Sequence, residues 1–309
     1  MTTLNEAFEK FVLVKEASMR SQETIKWYTS IVMACIEHLG TECSVTNVQE
    51  DDMLMYLKAL RTRDVRYEDA KQRPTQQGGL SRASIRSHIR ALKGFWKWCA
   101  KRYDMKDPMS SIQMPKRGQP KVKAISPDEF CKLMDATLDT SAGVRDRAIL
   151  ALLADTGARA GGLLSLKVDT VDIIRCRGEV IEKGYKKRWI YWSYHTSRLL
   201  DKWLSVRESN SDSVIVNMKT GDPLTYSGLA QLLKRLKNRS KVRGRVNAHA
   251  FRHNFARMYL MGGGDLVTLA RLLGHTDVNV TAAYYAVFAD DELADLQKKY
   301  SPLKRMLDR

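Results

Sequence analysis

The stretch Met114-Pro-Lys-Arg-Gly-Gln-Pro-Lys-Val-Lys123 constrains the fold more than any other part of this 309-residue chain. Each of its two prolines lacks a backbone N–H and pushes the preceding residue toward extended conformations, so no helix or interior strand is expected through it. Four Lys or Arg and no acid keep it in water. A stretch with these properties is a linker, and the residues on either side are numerous enough to bury separate cores. The expected organisation is therefore an N-terminal domain over 1–113, a basic linker over 114–123 with the boundary near 118, and a second domain over 124–309.

The first domain reads as helical. Leu4, Phe8, Phe11 and then Ile25, Tyr28, Ile31, Val32, Ile36 follow helical spacing in two segments that meet near Ser18–Ser21, with Ser21 as an N-cap. A third helix is expected over Met53–Leu60. The polar segment Arg61–Gly79 has no periodicity and reads as a long exposed loop. Leu80–Arg102 carries two stripes at steps of three and four. Ile85, Ile89, Leu92, Trp96 and Cys99 form an apolar one, and Arg82, Arg86, Arg90, Lys93, Lys97 and Lys101 form a basic one with no acid between them. A merely solvated helix face usually mixes signs, because like charges at i,i+4 repel. The unmixed stripe thus favours a phosphate-facing surface, continued by Lys116, Arg117 and Lys121 of the linker. Trp96 and Trp98 are expected in the core.

The second domain opens with the helix start Ser126-Pro127-Asp128-Glu129. An amphipathic helix is expected over Arg145–Asp155, closed by Thr156-Gly157, and Ala158-Arg159-Ala-Gly-Gly begins the next. From Val168 to Trp192 the period changes to that of about three short antiparallel strands. Helices return at His195–Arg207 and Ser227–Ser240. From Pro223 to Gly264 there is no Asp or Glu but there are nine Lys or Arg, and His249, His253 and His275 follow one another closely in Asn247–Tyr285. Imidazoles and a guanidinium in an acid-free segment, with a phenol following it, suit an anion. The net charge of +17 and a pI near 9.7 point to nucleic acid as its source. No apolar run approaches the length of a membrane span, no secretory signal is evident, and five scattered cysteines read as reduced thiols. A cytoplasmic, nucleoid-associated protein that does not bind membrane is the expectation.

Taken together, Thr156-Gly-Ala-Arg159-Ala-Gly-Gly-Leu163, Glu182-Lys183-Gly-Tyr-Lys-Lys-Arg188, His249-Ala-Phe-Arg252, Leu272-Leu-Gly-His275 and Tyr284 resemble the boxes of the tyrosine recombinase family over essentially the whole chain. The resemblance is nearest to the short Xer-type and mobile-element integrases without an arm-binding domain. It implies a mainly α protein with a small antiparallel β-sheet, in which a helical core-binding domain of SAM-like type and a mixed α/β catalytic domain form a C-shaped clamp on duplex DNA. It implies a site-specific recombinase that uses no cofactor and no metal. Tyr284 would attack the scissile phosphate to give a 3′-phosphotyrosyl link, Lys183 would protonate the leaving 5′-oxygen, and His275 would hydrogen-bond the phosphate. It further implies a homotetramer on two DNA sites, or a hetero-tetramer or one with an accessory protein, with the tail 289–309 docking on a neighbouring protomer.

The residues themselves support these roles and leave alternatives. Arg159 and Arg252 can each fork onto phosphate oxygens, and a cationic pocket favours the phenolate of a group whose ordinary pKa is about 10. His249 and Arg252 share one helix face, with Phe251, Phe255 and Met258 expected on the buried one and Asn247 as N-cap. His249 then accepts or relays the proton. His249 with His253 is also an i,i+4 zinc pair, but it has no third ligand at suitable spacing. Lys186 or Lys187 are alternatives to Lys183, and Tyr285 to Tyr284, although the nine-residue interval from His275 favours Tyr284. Two other activities remain open: a type IB topoisomerase, and a non-catalytic DNA-binding regulator on the same fold. One departure stands out. Gly162 lies where relatives commonly carry an acid that braces the first arginine, so Arg159 is expected to be held by another group or to be mobile until DNA binds.

Overall fold

In the computed structural model the described residues are 1–66, 75–116, 125–182, 184–275, 277–282 and 297–300. The chain divides into two compact units, Met1–Gln119 and Pro120–Arg309.

The first unit holds four helices: α1 (Leu4–Ala17), α2 (Gln22–Leu39), α3 (Glu50–Thr62) and α4 (Arg82–Tyr103). Thr3 starts α1 with a capping box, and the Ser21 and Ser81 side chains accept from the Thr24 and Ser84 amides at the starts of α2 and α4. The apolar faces close on an aromatic centre. The Phe11 and Phe95 rings meet edge to face at 5.4 Å, and Leu92, Phe95, Trp96 and Cys99 of α4 are buried. Trp96 is thus a core residue, and Trp98 packs edge-on against Phe11.

The described residues of the expected loop over Arg61–Gly79 include regular structure. Helix α3 continues to Thr62, and β1 (Val65–Arg66) pairs antiparallel with β2 (Gln76–Gln77). Strands of two residues carry no alternation signal, and they are fixed here by the Arg66 guanidinium, which donates to Gln76 Oε1 and Gly79 O. Residues 67–74 lie outside the described residues.

The second unit begins with α5 (Pro127–Asp135), capped by the Ser126–Glu129 box with Pro127 in the first turn, and α6 (Ser141–Thr156). Short α7 (Ala160–Leu164) leads to the sheet of β3 (Val171–Asp172), β4 (Arg177–Glu182) and β5 (Lys186–Tyr191) in the order β3-β4-β5. Then come α8 (Tyr194–Val206), α9 (Tyr226–Ser240), α10 (Ala248–Met261), α11 (Leu266–Leu273) and α12 (Val278–Ala282).

Helix α6 differs from the amphipathic helix expected. Ala148 to Leu153 are all buried, and so are Arg145 and Asp146. The helix runs through the middle of the unit, packed against α5, α8, α10 and β5, so it has hardly any face left for water. Its charges satisfy one another: Arg145 Nη2 lies 2.7 Å from Asp146 Oδ1, Arg145 Nη1 donates to Val216 O, and Arg235 Nη2 donates to Asp146 Oδ2. Among the described residues no helix is long and apolar enough to cross a membrane.

Candidate active site

The ends of α6 and α11 in the second unit come together at Arg252. Helix α6 stops at Gly157, whose φ of 57° is the left-handed conformation, and a side chain there would sit 2.5 Å from the Phe255 ring. The turn leads at once to Arg159, directly before α7. Helix α11 likewise stops at Gly274, with a φ of 67°, which leads to His275. These two glycine stops expose carbonyls at the ends of α6 and α11, and α10 lays Arg252 across them.

Arg252 is 3 % exposed. Its Nη1 donates to Gly157 O at 3.0 Å and its Nη2 to Leu273 O at 2.8 Å. Nη2 also lies 2.7 Å from His275 Nε2. A guanidinium only donates, so Nε2 is the acceptor and the His275 proton sits on Nδ1. That nitrogen lies 2.7 Å from Thr281 Oγ1, which then accepts from it, and Thr281 is fully buried at the start of the segment leading to Tyr284. Burial first, and then the charges of Arg252 and Arg159, push the His275 pKa down to about 4, in keeping with a neutral imidazole.

His249 is the outer member of a second pair. Asn247 caps α10, its side chain accepting from the Ala250 amide at 2.8 Å, and His249 Nε2 lies 2.8 Å from His253 Nε2. One of these nitrogens must carry a proton and the other accept it, so the pair shares a single proton across that contact. Burial and the Arg252 charge lower the His249 pKa. Burial, then His249 and Arg252, bring that of His253 to about 4. Met258, expected on the buried face of this helix, is 51 % exposed. Phe251 and Ala256 fill the core side instead, and Leu260 takes the following turn.

Arg159 is held differently. Its side chain is 44 % exposed and its Nη1 donates to Glu182 Oε2, at the end of β4. The other oxygen of Glu182 accepts from Arg188 Nε at 3.0 Å, and Arg188 Nη1 reaches on to Leu272 O at 2.9 Å. The α11 C-terminus, the negative end of the helix dipole, is thus lined by Arg252 and Arg188 together. Of the six catalytic residues expected, Arg159, His249, Arg252 and His275 lie within this unit and are linked as described. Lys183 and Tyr284, with its alternative Tyr285, lie outside the described residues. Glu182, Arg188 and Thr281 belong to the cluster although no role was expected for them. The signal for Glu182 was its place beside Lys183 in the hairpin, where antiparallel pairing sets it opposite Lys186.

The basic stripe of the first unit lies as the spacing requires. Arg82, Arg90, Lys97 and Lys101 are exposed, and Arg86 and Lys93 are half-buried. Arg90 stacks over Trp27 at 4.7 Å, and Trp27 Nε1 donates to Ser87. Lys116 and Arg82 border a groove of about 1000 Å³, together with Lys58 and Arg61 of α3, two further cations on one helix face. Arg117 and Lys121 lie outside the described residues. Among the described residues no group of three or more His, Cys, Asp or Glu is placed to hold a metal ion.

The profile of the phage integrase family matches residues 123–290. Tyrosine recombinase XerD of Listeria monocytogenes serotype 4b (strain F2365) is 28 % identical over 315 aligned residues, which cover 98 % of this chain and 99 % of the relative. Among solved structures, XerA recombinase is 25 % identical with a TM-score of 0.53, over 96 % of this chain and 99 % of its own. XerH site-specific recombinase bound to palindromic difH substrate, a post-cleavage complex, has a TM-score of 0.69 at 20 % identity, covering 96 % of this chain and 84 % of that one. At that identity the likeness shows the fold.

Proposed function

We propose that this chain, which belongs to the phage integrase family of tyrosine recombinases, is a site-specific DNA recombinase that cuts and rejoins duplex DNA through a covalent 3′-phosphotyrosyl intermediate on Tyr284. The observation that carries this reading is the junction of Arg159, Arg252 and His275 at two glycine-stopped helix ends, with the proton-sharing pair His249–His253 on the same helix as Arg252.

The two arginines divide the work. Arg252, locked on carbonyls, is a fixed positive charge under the site. Arg159, exposed on one side, is the fork that meets a phosphate oxygen. Tyr284 oxygen attacks phosphorus, the bond from phosphorus to the 5′-oxygen breaks, and the phenolic proton passes to neutral His249. Lys183 gives its proton to the leaving 5′-oxygen. One phosphodiester is exchanged for another, so attack by a second 5′-hydroxyl reseals the strand without ATP. While Arg252 donates to His275 Nε2, that nitrogen cannot donate to phosphate, so binding DNA has to re-pair the contact. The stripe Arg82, Arg86, Arg90, Lys93, Lys97 and Lys101, with Lys116, Arg117 and Lys121, holds the duplex backbone. Four protomers assemble on two DNA sites, all copies of this chain or partly a second recombinase or accessory protein, and the tail 289–309 docks on a neighbour.

A nicked suicide substrate in EDTA tests the reaction. Wild type and Tyr285→Phe should accumulate a covalent protein–DNA adduct, and Tyr284→Phe should give none; loss of the wild-type adduct in EDTA would overturn the metal-free route. Relaxation of a plasmid lacking any recombination site would favour the topoisomerase reading instead. Deleting residues 289–309 should remove cooperative assembly on DNA while leaving single-site binding in place.

A further inference from the structure

Gly162 and Glu182 belong together. Glu182 is the best-buried carboxylate of the site, with 10 % of its side chain exposed, and it accepts from Arg159 through one oxygen and from Arg188 through the other. It reaches Arg159 from β4, past the first turn of α7, where the buried residue facing it is Gly162. A Cβ on Gly162 would lie 3.7 Å from Glu182 Cγ and 3.9 Å from its Oε1. These are ordinary van der Waals distances, so the open space at Gly162 borders the Glu182 carboxylate directly. A carboxylate carried on residue 162 would start from that same space.

We propose that Glu182 is the positioning residue of Arg159, and that Gly162 is the complementary half of this arrangement: the acid that orients the guanidinium is supplied across the sheet by β4 because α7 has none to offer. The consequence is mechanical. Glu182 immediately precedes Lys183 and also grips Arg188, which is tied to the end of α11 at Leu272 O. One carboxylate thereby joins the orientation of Arg159 to the base of the hairpin and to the helix end that leads to His275. The two oxygens of Glu182 are divided between the two arginines, so a shorter or neutral side chain cannot serve both.

The proposal rests on the recombinase reading, and two measurements separate them. The first uses full-length protein without DNA. Phenylglyoxal modification of Arg159, followed by peptide mass spectrometry, should be several-fold faster in Glu182→Ala than in wild type, and should return toward wild type in Gly162→Glu/Glu182→Ala. Equal modification rates in wild type and Glu182→Ala would overturn the brace, whatever the protein does to DNA. The second is adduct formation on the suicide substrate at saturating DNA. Glu182→Ala should lose about 10- to 100-fold in rate, the usual cost of an active-site group displaced by about 1 Å. Moving the acid to residue 162 should restore at least about tenfold of that in a protein with the same thermal midpoint, again on the scale of such a displacement. A double variant no faster than Glu182→Ala, though folded, would show that any carboxylate effect is not positional and would end the proposal. A wild type that gives no adduct would instead count against the recombinase reading, leaving the labelling result to decide the brace.

Discussion

The two units carry their cations in opposite ways. On α4 of the first unit, Arg82, Arg86, Arg90, Lys93, Lys97 and Lys101 form no ion pair among the described residues, and four of them are exposed. In the second unit Arg159, Arg188 and Arg252 are each held by a carboxylate or by helix-end carbonyls, and Arg252 is buried. Flexible, hydrated cations suit a uniform polyanion, because each contact releases counterions and none needs a fixed direction. Cations clamped before the ligand arrives suit charge that develops at one atom, since no reorganisation is then required. The proposed function accordingly assigns affinity to the first unit and chemistry to the second.

The contrast breaks first at Arg252. Arg252→Ala should cost about 2–4 kcal/mol in unfolding free energy, because two buried carbonyls lose a charged donor. It should also lower adduct formation by about 100- to 1000-fold, as removal of a preorganised donor does. Denaturant melts and single-turnover cleavage measure the two effects. A folded Arg252→Ala protein that cleaves normally would remove the reason for separating the two kinds of cation.

Neutralising the stripe should do the reverse. Arg86→Ala/Lys93→Ala should weaken DNA binding by about tenfold and reduce the slope of log K against log salt by about 0.9 for each lost phosphate contact. The cleavage rate at saturating DNA should stay within about twofold, because affinity and chemistry are assigned to different residues. Binding titrations at several salt concentrations decide this, and an unchanged slope would take α4 out of the interface.

A smaller effect is expected at Thr281→Val, which removes the acceptor for the His275 Nδ1 proton. The loss of one buried hydrogen bond, about 1 kcal/mol, predicts roughly a fivefold slower cleavage. The mildest prediction concerns pH. The folded-state pKa values of His253 and His275, and of His88 in the first unit, lie near 4, below the ordinary 6.5. The unfolded chain therefore binds more protons between these values, and stability should fall as pH is lowered from about 6.5 toward 4. A thermal midpoint that is flat or rises over that range would contradict the neutral tautomers assigned here.

Much of the fold was legible because it follows local rules. Ser21, Ser81, Ser126 and Asn247 each cap the helix they precede, and the two stripes of Leu80–Arg102 separate as their spacing requires. Helix α6 departs from the expected amphipathic pattern because its polar residues, Arg145 and Asp146, look like a solvent face until Val216 and Arg235 arrive from other elements to satisfy them. The site shows the same division. Arg159, His249, Arg252 and His275 stand out by motif, and their partners do not. Glu182, Arg188 and Thr281 acquire meaning only once the hairpin, the end of α11 and α12 are folded against them. The gap at Gly162 was visible in the chain. What fills it comes from another strand, and no local pattern announces it.

The most direct measurement is the identity of the attacked residue. The adduct trapped on a nicked substrate should be digested with nuclease and trypsin and its peptide fragmented in a mass spectrometer. A nucleotide carried by Tyr284 through its phenolic oxygen is the predicted result. A nucleotide on Tyr285, or no covalent nucleotide in protein that binds and processes DNA, would contradict the account.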